Sequence, residues 1–183
     1  EGERISISFY SEDPSSASSN SENLIVNGDF ESDLVVSGAS NWNGNYLIAW
    51  TPTGWQKLYG SGVDLLNQYH PKLGGESGEI NTPYGNYVEL DGMNNTGIAQ
   101  TIQTTNGADY LLSFDWALPS YDQGVYSFPD PSSQFDVVVN GDNVFSYDGS
   151  YGIRGGWTSE SLVFTAKSDQ TKIEFREVGI SDA

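Results

Sequence analysis

The middle of the chain alternates. Tyr87-Val88-Glu89-Leu90-Asp91, Gly97-Ile98-Ala99-Gln100-Thr101-Ile102 and Tyr110-Leu111-Leu112-Ser113-Phe114-Asp115-Trp116 place polar and apolar residues in turn, the period of a strand with one face on a core and one towards water. Gly92 with Asn94 and Asn95, and then Thr105-Asn106-Gly107, separate them with turn chemistry. Neither gap is long enough for a helical crossover, so the pattern predicts three strands that run antiparallel to their neighbours.

The same reading extends outward. Phe135-Asp136-Val137-Val138-Val139 and Val144-Phe145-Ser146-Tyr147 flank Asn140-Gly141-Asp142-Asn143, a hairpin signal. Trp157 to Thr165 and Thr171 to Glu177 supply two more strands, and short ones are expected near Tyr46 to Trp50 and Val63 to Leu66. Arg4 to Tyr10 alternates as well, with Ile5, Ile7 and Phe9 on one face. No segment carries sustained helical periodicity with caps. The expected class is all-β, an antiparallel two-sheet sandwich of about ten strands.

Polar stretches divide the chain. Ser11 to Ser21 is too poor in apolar residues to fold and reads as a linker. The expected organisation is an N-terminal strand over residues 1–10, a Ser-rich linker over 11–22 and a β-sandwich domain over 23–183. Asn67 to Pro83 and Pro119 to Ser133 read as long loops, the usual home of a binding surface on a rigid scaffold.

Several segments, in order, carry a resemblance. Asn23-Leu24-Ile25-Val26-Asn27-Gly28-Asp29-Phe30-Glu31, Thr53-Gly54-Trp55, Asn86 to Asp91, Gly97 to Ile102, Ala108 to Asp115 and Ile173-Glu174-Phe175-Arg176-Glu177 together resemble calcium-binding, carbohydrate-binding modules of the galactose-binding-like jelly-roll type. Such modules are common in bacterial surface adhesins and in polysaccharide-active enzymes. The resemblance implies a jelly roll with a structural calcium held by Glu31 and nearby carbonyls. It also implies a last strand of Ile-Asp-x-Val type beside the opening one. The sequence ends at Ile180-Ser181-Asp182-Ala183 without that strand and carries an unmatched one at its start. Ile5, Ile7 and Phe9 are therefore expected to fill the vacant position, either in the same molecule or, as a subunit contact, in the next copy.

Charge narrows the partners. Twenty-five Asp plus Glu against seven Lys plus Arg give a net charge of -18, a field that repels nucleic acid and anionic membranes and favours cations. The absence of cysteine excludes disulfides, zinc-thiolate sites and thiol catalysis. No run of about 18 apolar residues offers a membrane span. A start at Glu1-Gly2-Glu3 without methionine suggests a processed product, and the composition suggests an exported, cell-surface location.

Candidate chemistry is thin. Asp29 and Glu31 follow the Gly28 turn, and Asp91 sits beside Asn94 and Asn95. These carboxylates are the candidate calcium ligands, against the alternative of solvated acidic turns, since calcium wants six to eight oxygens. Trp50, Trp55, Tyr59, Tyr69, Tyr121 and Tyr126 offer aromatic faces that stack on the C–H face of a pyranose. For Trp55, following Thr53-Gly54, a residue capping the core is the stronger reading. His70 is the only histidine and has no nucleophile motif beside it, so no catalytic residue is assigned. The expected function is a non-enzymatic extracellular structural or adhesive protein that assembles with copies of itself into a filament by strand donation, stabilised by calcium. The alternative is a monomeric module that binds polysaccharide on loop aromatics.

Overall fold

The computed structural model describes residues 4–5, 23–33, 46–67, 85–90, 94–117, 134–150 and 157–180. Among them are eleven strands and no helix. In chain order they are β1 (Arg4–Ile5), β2 (Tyr46–Trp50), β3 (Gln56–Tyr59), β4 (Val63–Asn67), β5 (Asn86–Glu89), β6 (Gly97–Gln103), β7 (Asp109–Ala117), β8 (Phe135–Val139), β9 (Asp142–Tyr147), β10 (Trp157–Thr165) and β11 (Gln170–Glu177). Every pairing is antiparallel, in the orders β1-β5-β4-β2, β10-β7 and β3-β6-β11-β8-β9. The all-β, two-layer class is the one the alternation predicts.

The first two groups form one layer. β1 pairs with β5, and its Cα atoms also lie within 8 Å of those of β7. Hydrogen-bonded neighbours stand about 4.8 Å apart, so the spatial order is β2-β4-β5-β1-β7-β10. Tyr87 of β5 and Trp157 of β10 meet edge to face at 5.9 Å on the outer side of this layer. The five strands ending in β9 make the opposing layer.

One expectation is corrected. β5, β6 and β7 follow one another through short links, but they are not neighbours: β5 and β7 lie in one layer and β6 in the other. The links are arches across the sandwich rather than hairpins. The Thr96 hydroxyl donates to the Leu90 carbonyl within the first arch. The second arch, residues 104–108, runs beside the link from β10 to β11 and is tied to it by Thr104 N–H to Asp169 O at 3.0 Å and Gly107 N–H to Ala166 O at 2.8 Å. Backbone groups that a hairpin would satisfy internally are thus satisfied arch to arch.

Between the layers sits an aromatic core. The alternation of β7 puts Tyr110, Leu112, Phe114 and Trp116 inward. Phe114 meets Phe145 at 5.3 Å and Phe175 at 5.5 Å, and Trp116 meets Tyr147 at 4.6 Å. The predicted hairpin between β8 and β9 turns on Asn140 (φ 49°) and Gly141 (φ 88°), the positive-φ pair of a two-residue turn whose twist suits strand pairs.

A second correction concerns β5, whose alternation predicts one face in water. All four of its residues are buried. Val88 and Leu65 face the core, whereas Tyr87 and Leu66, register partners on the other side, are buried outside the central cluster. This layer is covered on both faces at β4 and β5. β3, without alternation in Gln56-Lys57-Leu58-Tyr59, has no counterpart among the predicted strands.

Candidate functional site

The N-terminal loop of the domain, residues 23–33, is stapled to β5 and β6 by buried polar side chains. Gln100 is the first staple: its amide accepts from Val26 N–H at 2.7 Å and donates to Val26 O at 2.9 Å, imitating a strand pair. Asn86 is the second. Its Nδ2 donates to Phe30 O at 3.0 Å and Asp33 O at 3.2 Å, while its N–H donates to Glu31 Oε1 at 2.6 Å. A Cβ at Gly85, which has φ +49°, would fall on the Glu31 carboxylate, so the close approach requires glycine.

Asp33 is the third staple and the most heavily bonded. Its carboxylate accepts from Asn27 Nδ2 at 2.8 Å, Trp50 Nε1 at 3.1 Å, Thr53 Oγ1 at 2.9 Å and Thr53 N–H at 3.0 Å. Burial pushes its pKa up, but the donors from Trp50, Thr53 and Asn27 outweigh burial and hold it below the ordinary 3.8. Phe30 completes the loop in a left-handed conformation, φ 58°. Such a backbone costs about 1–3 kcal/mol for a non-glycine residue, comparable to the roughly 1.5–3 kcal/mol gained by burying its ring. The two Asn86 bonds, with Phe30 N–H to Asn27 O at 3.3 Å and Ser32 N–H to Asn27 Oδ1 at 2.9 Å, add to the hold on the turn.

The predicted residues separate into three groups. Trp50, 41% exposed, is tethered to Asp33, and Trp55, 5% exposed, is a core residue. The Trp55 Nε1 donates to Asn27 O at 3.1 Å and its ring contacts Phe30 at 5.9 Å and Phe175 at 6.3 Å, so it caps the core and presents no face to a sugar. Asp29 accepts the Glu31 N–H at 3.2 Å, and Glu31 reaches Asn86 rather than Asp29. Among the described residues no group of three or more His, Cys, Asp or Glu can hold a metal. The oxygens that converge are Phe30 O and Asp33 O with Glu31 Oε1 beside them, about half the shell that calcium wants. Tyr69, Tyr121, Tyr126, Asp91, Ile7 and Phe9 lie outside the described residues; Ile5 stands opposite Val88, a core position.

Tyr59 belongs to a different surface. It is 37% exposed and lies across Gly97, whose Cβ would meet its Cε1 at 2.7 Å, and its hydroxyl donates to Glu177 O at 2.7 Å. Burial of the hydroxyl, with the Glu177 charge, pushes its pKa up to about 12. Register places Tyr59, Gly97, Arg176, Asp136 and Ser146 in one row across the outer face of the five-stranded layer, with Gln56, Ala99, Glu174, Val138 and Asn143 in the next. Arg176 and Lys172 both pair with Glu174, and Ser146 Oγ donates to Asp136 Oδ1 at 2.6 Å. The Tyr59 ring covers Gly97, and Ala99, Val138 and Glu174 of the next row are buried, so what this part of the face exposes is the ring itself with Gln56 and the half-exposed Arg176 beside it.

Comparison with known proteins fits this frame. A family described as a protein of unknown function, DUF642, matches residues 23–183. The chain belongs to the DUF642 family. The DUF642 region takes in every strand except β1, which precedes it. The chain is also 29% identical over 174 residues, 93% of its length, to a multifunctional-autoprocessing repeats-in-toxin protein of Vibrio vulnificus. A protein of the same name from Vibrio cholerae serotype O1 is 29% identical over 164 residues, 87% of this chain. The chain spans about 3% of the length of these curated relatives. Among its described residues no helix is long and apolar enough to cross a membrane.

The lowered pKa of Asp33 sets the sign of one prediction. The carboxylate stabilises the fold above its unfolded pKa, and that contribution is lost as pH falls through the folded value, below 3.8. Asp33→Asn, which leaves the Thr53 and Trp50 donors poorly matched, is expected to cost about 3 kcal/mol at neutral pH. The gap between variant and parent should narrow below about pH 4; urea midpoints measured at pH 7 and pH 3 check both statements.

Proposed function

We propose that this chain is a non-enzymatic extracellular module with a structural and adhesive role, whose β-sandwich is completed by the strand ahead of the DUF642 region. Exchange of that strand between copies links modules head to tail. The observation that carries the reading is the position of β1, antiparallel to β5 and beside β7, where it closes the β2-to-β10 layer. A strand supplied by the same molecule or by its neighbour makes the same backbone pairing, and only the linker decides between them. The extracellular assignment draws on the two relatives, whose names describe repeats-in-toxin proteins. Protein of residues 1–183 should form concentration-dependent assemblies, visible by light scattering and electron microscopy, and deletion of residues 1–12 should abolish them. Assemblies that survive the deletion, or a chain that stays monomeric at millimolar concentration, contradict strand exchange.

Calcium belongs to the proposal as a structural ion at the loop of residues 23–33. The donor set fits it in kind, since Phe30 O, Asp33 O and the Glu31 carboxylate are hard oxygens, and the -18 charge favours cation binding. The Asn86 amide holds the same two carbonyls without an ion, so binding requires that side chain to turn its oxygen inward. Calcium is expected to raise the melting temperature by several degrees, with EGTA reversing the rise and Glu31→Gln abolishing it. An unchanged melt removes calcium from the account.

A second reading, a carbohydrate-binding module, is favoured by the Tyr59 row. A half-exposed ring packed on Gly97, next to Arg176 and Gln56, offers a face on which a pyranose can stack. The net charge points to a neutral glycan over an acidic one. Retardation in affinity gels containing neutral polysaccharides should survive Tyr59→Phe and vanish in Tyr59→Ala; equal mobility of all three proteins contradicts it.

A further inference from the structure

Each layer ends in strands whose outer edge has no strand partner among the described residues, β2 and β10 in one, β3 and β9 in the other. A bare edge invites another strand, and shortness, a bulge or a lysine blunts it. β2, β3 and β9 are blunted in this way. Each has six residues or fewer, and each carries the extra residue at a break in its register, between Leu47 and Trp50, between Lys57 and Tyr59, and at Val144 opposite Val137 and Val138. β10 has no such break. It pairs with β7 through nine consecutive positions, Trp157 to Thr165, and contains no Lys, Arg, Gly or Pro. Its outward residues Ser159, Ser161, Val163 and Thr165 are exposed, Val163 at 61%.

Charge decides what can share that edge. At -18 the chain repels its own copies, so a second β10 can pair only where acids do not meet. A two-fold axis normal to the sheet makes the two strands antiparallel and keeps outward residues opposite outward ones. Centred on Ser161, all nine residues overlap. The row Asp109–Thr165 of one copy then runs into Trp157–Ala117 of the other, Leu111–Val163 into Ser159–Asp115, and Ser113–Ser161 into its own equivalent. Within a copy these rows are fixed by Thr165 Oγ1 donating to Asp109 Oδ1 at 2.6 Å and by the Ser113 and Ser161 hydroxyls, 2.8 Å apart. On the core side Glu160, the one charge in β10, stands opposite Leu162. No row holds two acids. Moving the centre to Glu160 sets two Glu160 carboxylates face to face, and moving it to Leu162 brings Asp115 and Asp109 into one row. Like charges across a strand pair are destabilising.

We propose that β10 is a docking edge for the β10 of a second copy, paired antiparallel about Ser161 so that the two copies share one layer. The pair closes at two copies and uses neither β1 nor the opposing layer. Its seam is about 30 Å long and one strand wide, at the small end of protein interfaces, so the pair is weak and short-lived. It is separate from the extended assemblies of strand exchange, and a cross-link captures it.

Single cysteines introduced into residues 1–183 read the register, since the chain has none of its own. Across the axis the two Cα atoms of residue 161 stand about 4.5–5.5 Å apart, within disulfide reach. Those of residue 159 are displaced by four positions, about 14 Å along the strands, and are out of reach. Under mild oxidation Ser161→Cys should form a disulfide-linked dimer at least tenfold faster than Ser159→Cys or Val163→Cys alone, all three positions being exposed. An equimolar mixture of Ser159→Cys and Val163→Cys should approach the Ser161→Cys rate, and it decides the matter if Ser161→Cys fails to fold. A Ser161→Cys rate no higher than that of Ser159→Cys, or a mixture no faster than its separate components, overturns the proposal.

Discussion

A strand buried on both faces must also have both edges paired. β5 is such a strand: Val88 faces the aromatic core, Tyr87 packs on Trp157 outside it, and Glu89 is buried beside Asp64. One edge is paired along its whole length with β4. The other meets β1, and that contact prevents backbone groups from being stranded in a covered sheet, at a cost of about 1–3 kcal/mol for each group left unpaired. β7, nine residues long and fully paired with β10, flanks the same position from the other side. β1 meets this edge at Val88 and Glu89, and it precedes the family region.

The rest of the architecture follows from satisfying polar groups at the ends. Short arches rather than hairpins carry the chain between layers, and they bond to each other. The loop that opens the domain has no strand partner, so Gln100, Asn86 and Asp33 stand in for one with side-chain amides and a carboxylate. These staples take Trp50 and Trp55 into structural service. Among the described residues, Tyr59 keeps a half-exposed ring packed on Gly97 at a sheet face.

What sequence pattern revealed follows from what is local. The hairpin at Asn140-Gly141 is written in two residues that accept positive φ, and β7 in an alternation over seven residues interrupted only at Leu111. Trp55 as a core cap was legible from its Thr-Gly approach. Layer assignment was not, because a link of a few residues serves an arch as well as a hairpin. β3 lacks a period. The Asp33 centre was invisible for another reason: its partners Asn27, Trp50 and Thr53 are 6 to 20 residues away, and only the fold brings them together. The burial of Tyr87 and Glu89 was hidden by their alternation with Val88, which a sheet covered on one side shares with a sheet covered on both.

The absence of cysteine makes the central claim open to a direct test. Ile5→Cys with Val88→Cys places two thiols at register partners, where the Cα separation of an antiparallel pair, about 4.5–5.5 Å, suits a disulfide. Mild oxidation followed by non-reducing mass analysis should give complete cross-linking, within the chain where β1 folds back and as a ladder of copies where it is exchanged. Two thiols that stay free and alkylate at equal rates under the same conditions would contradict the account.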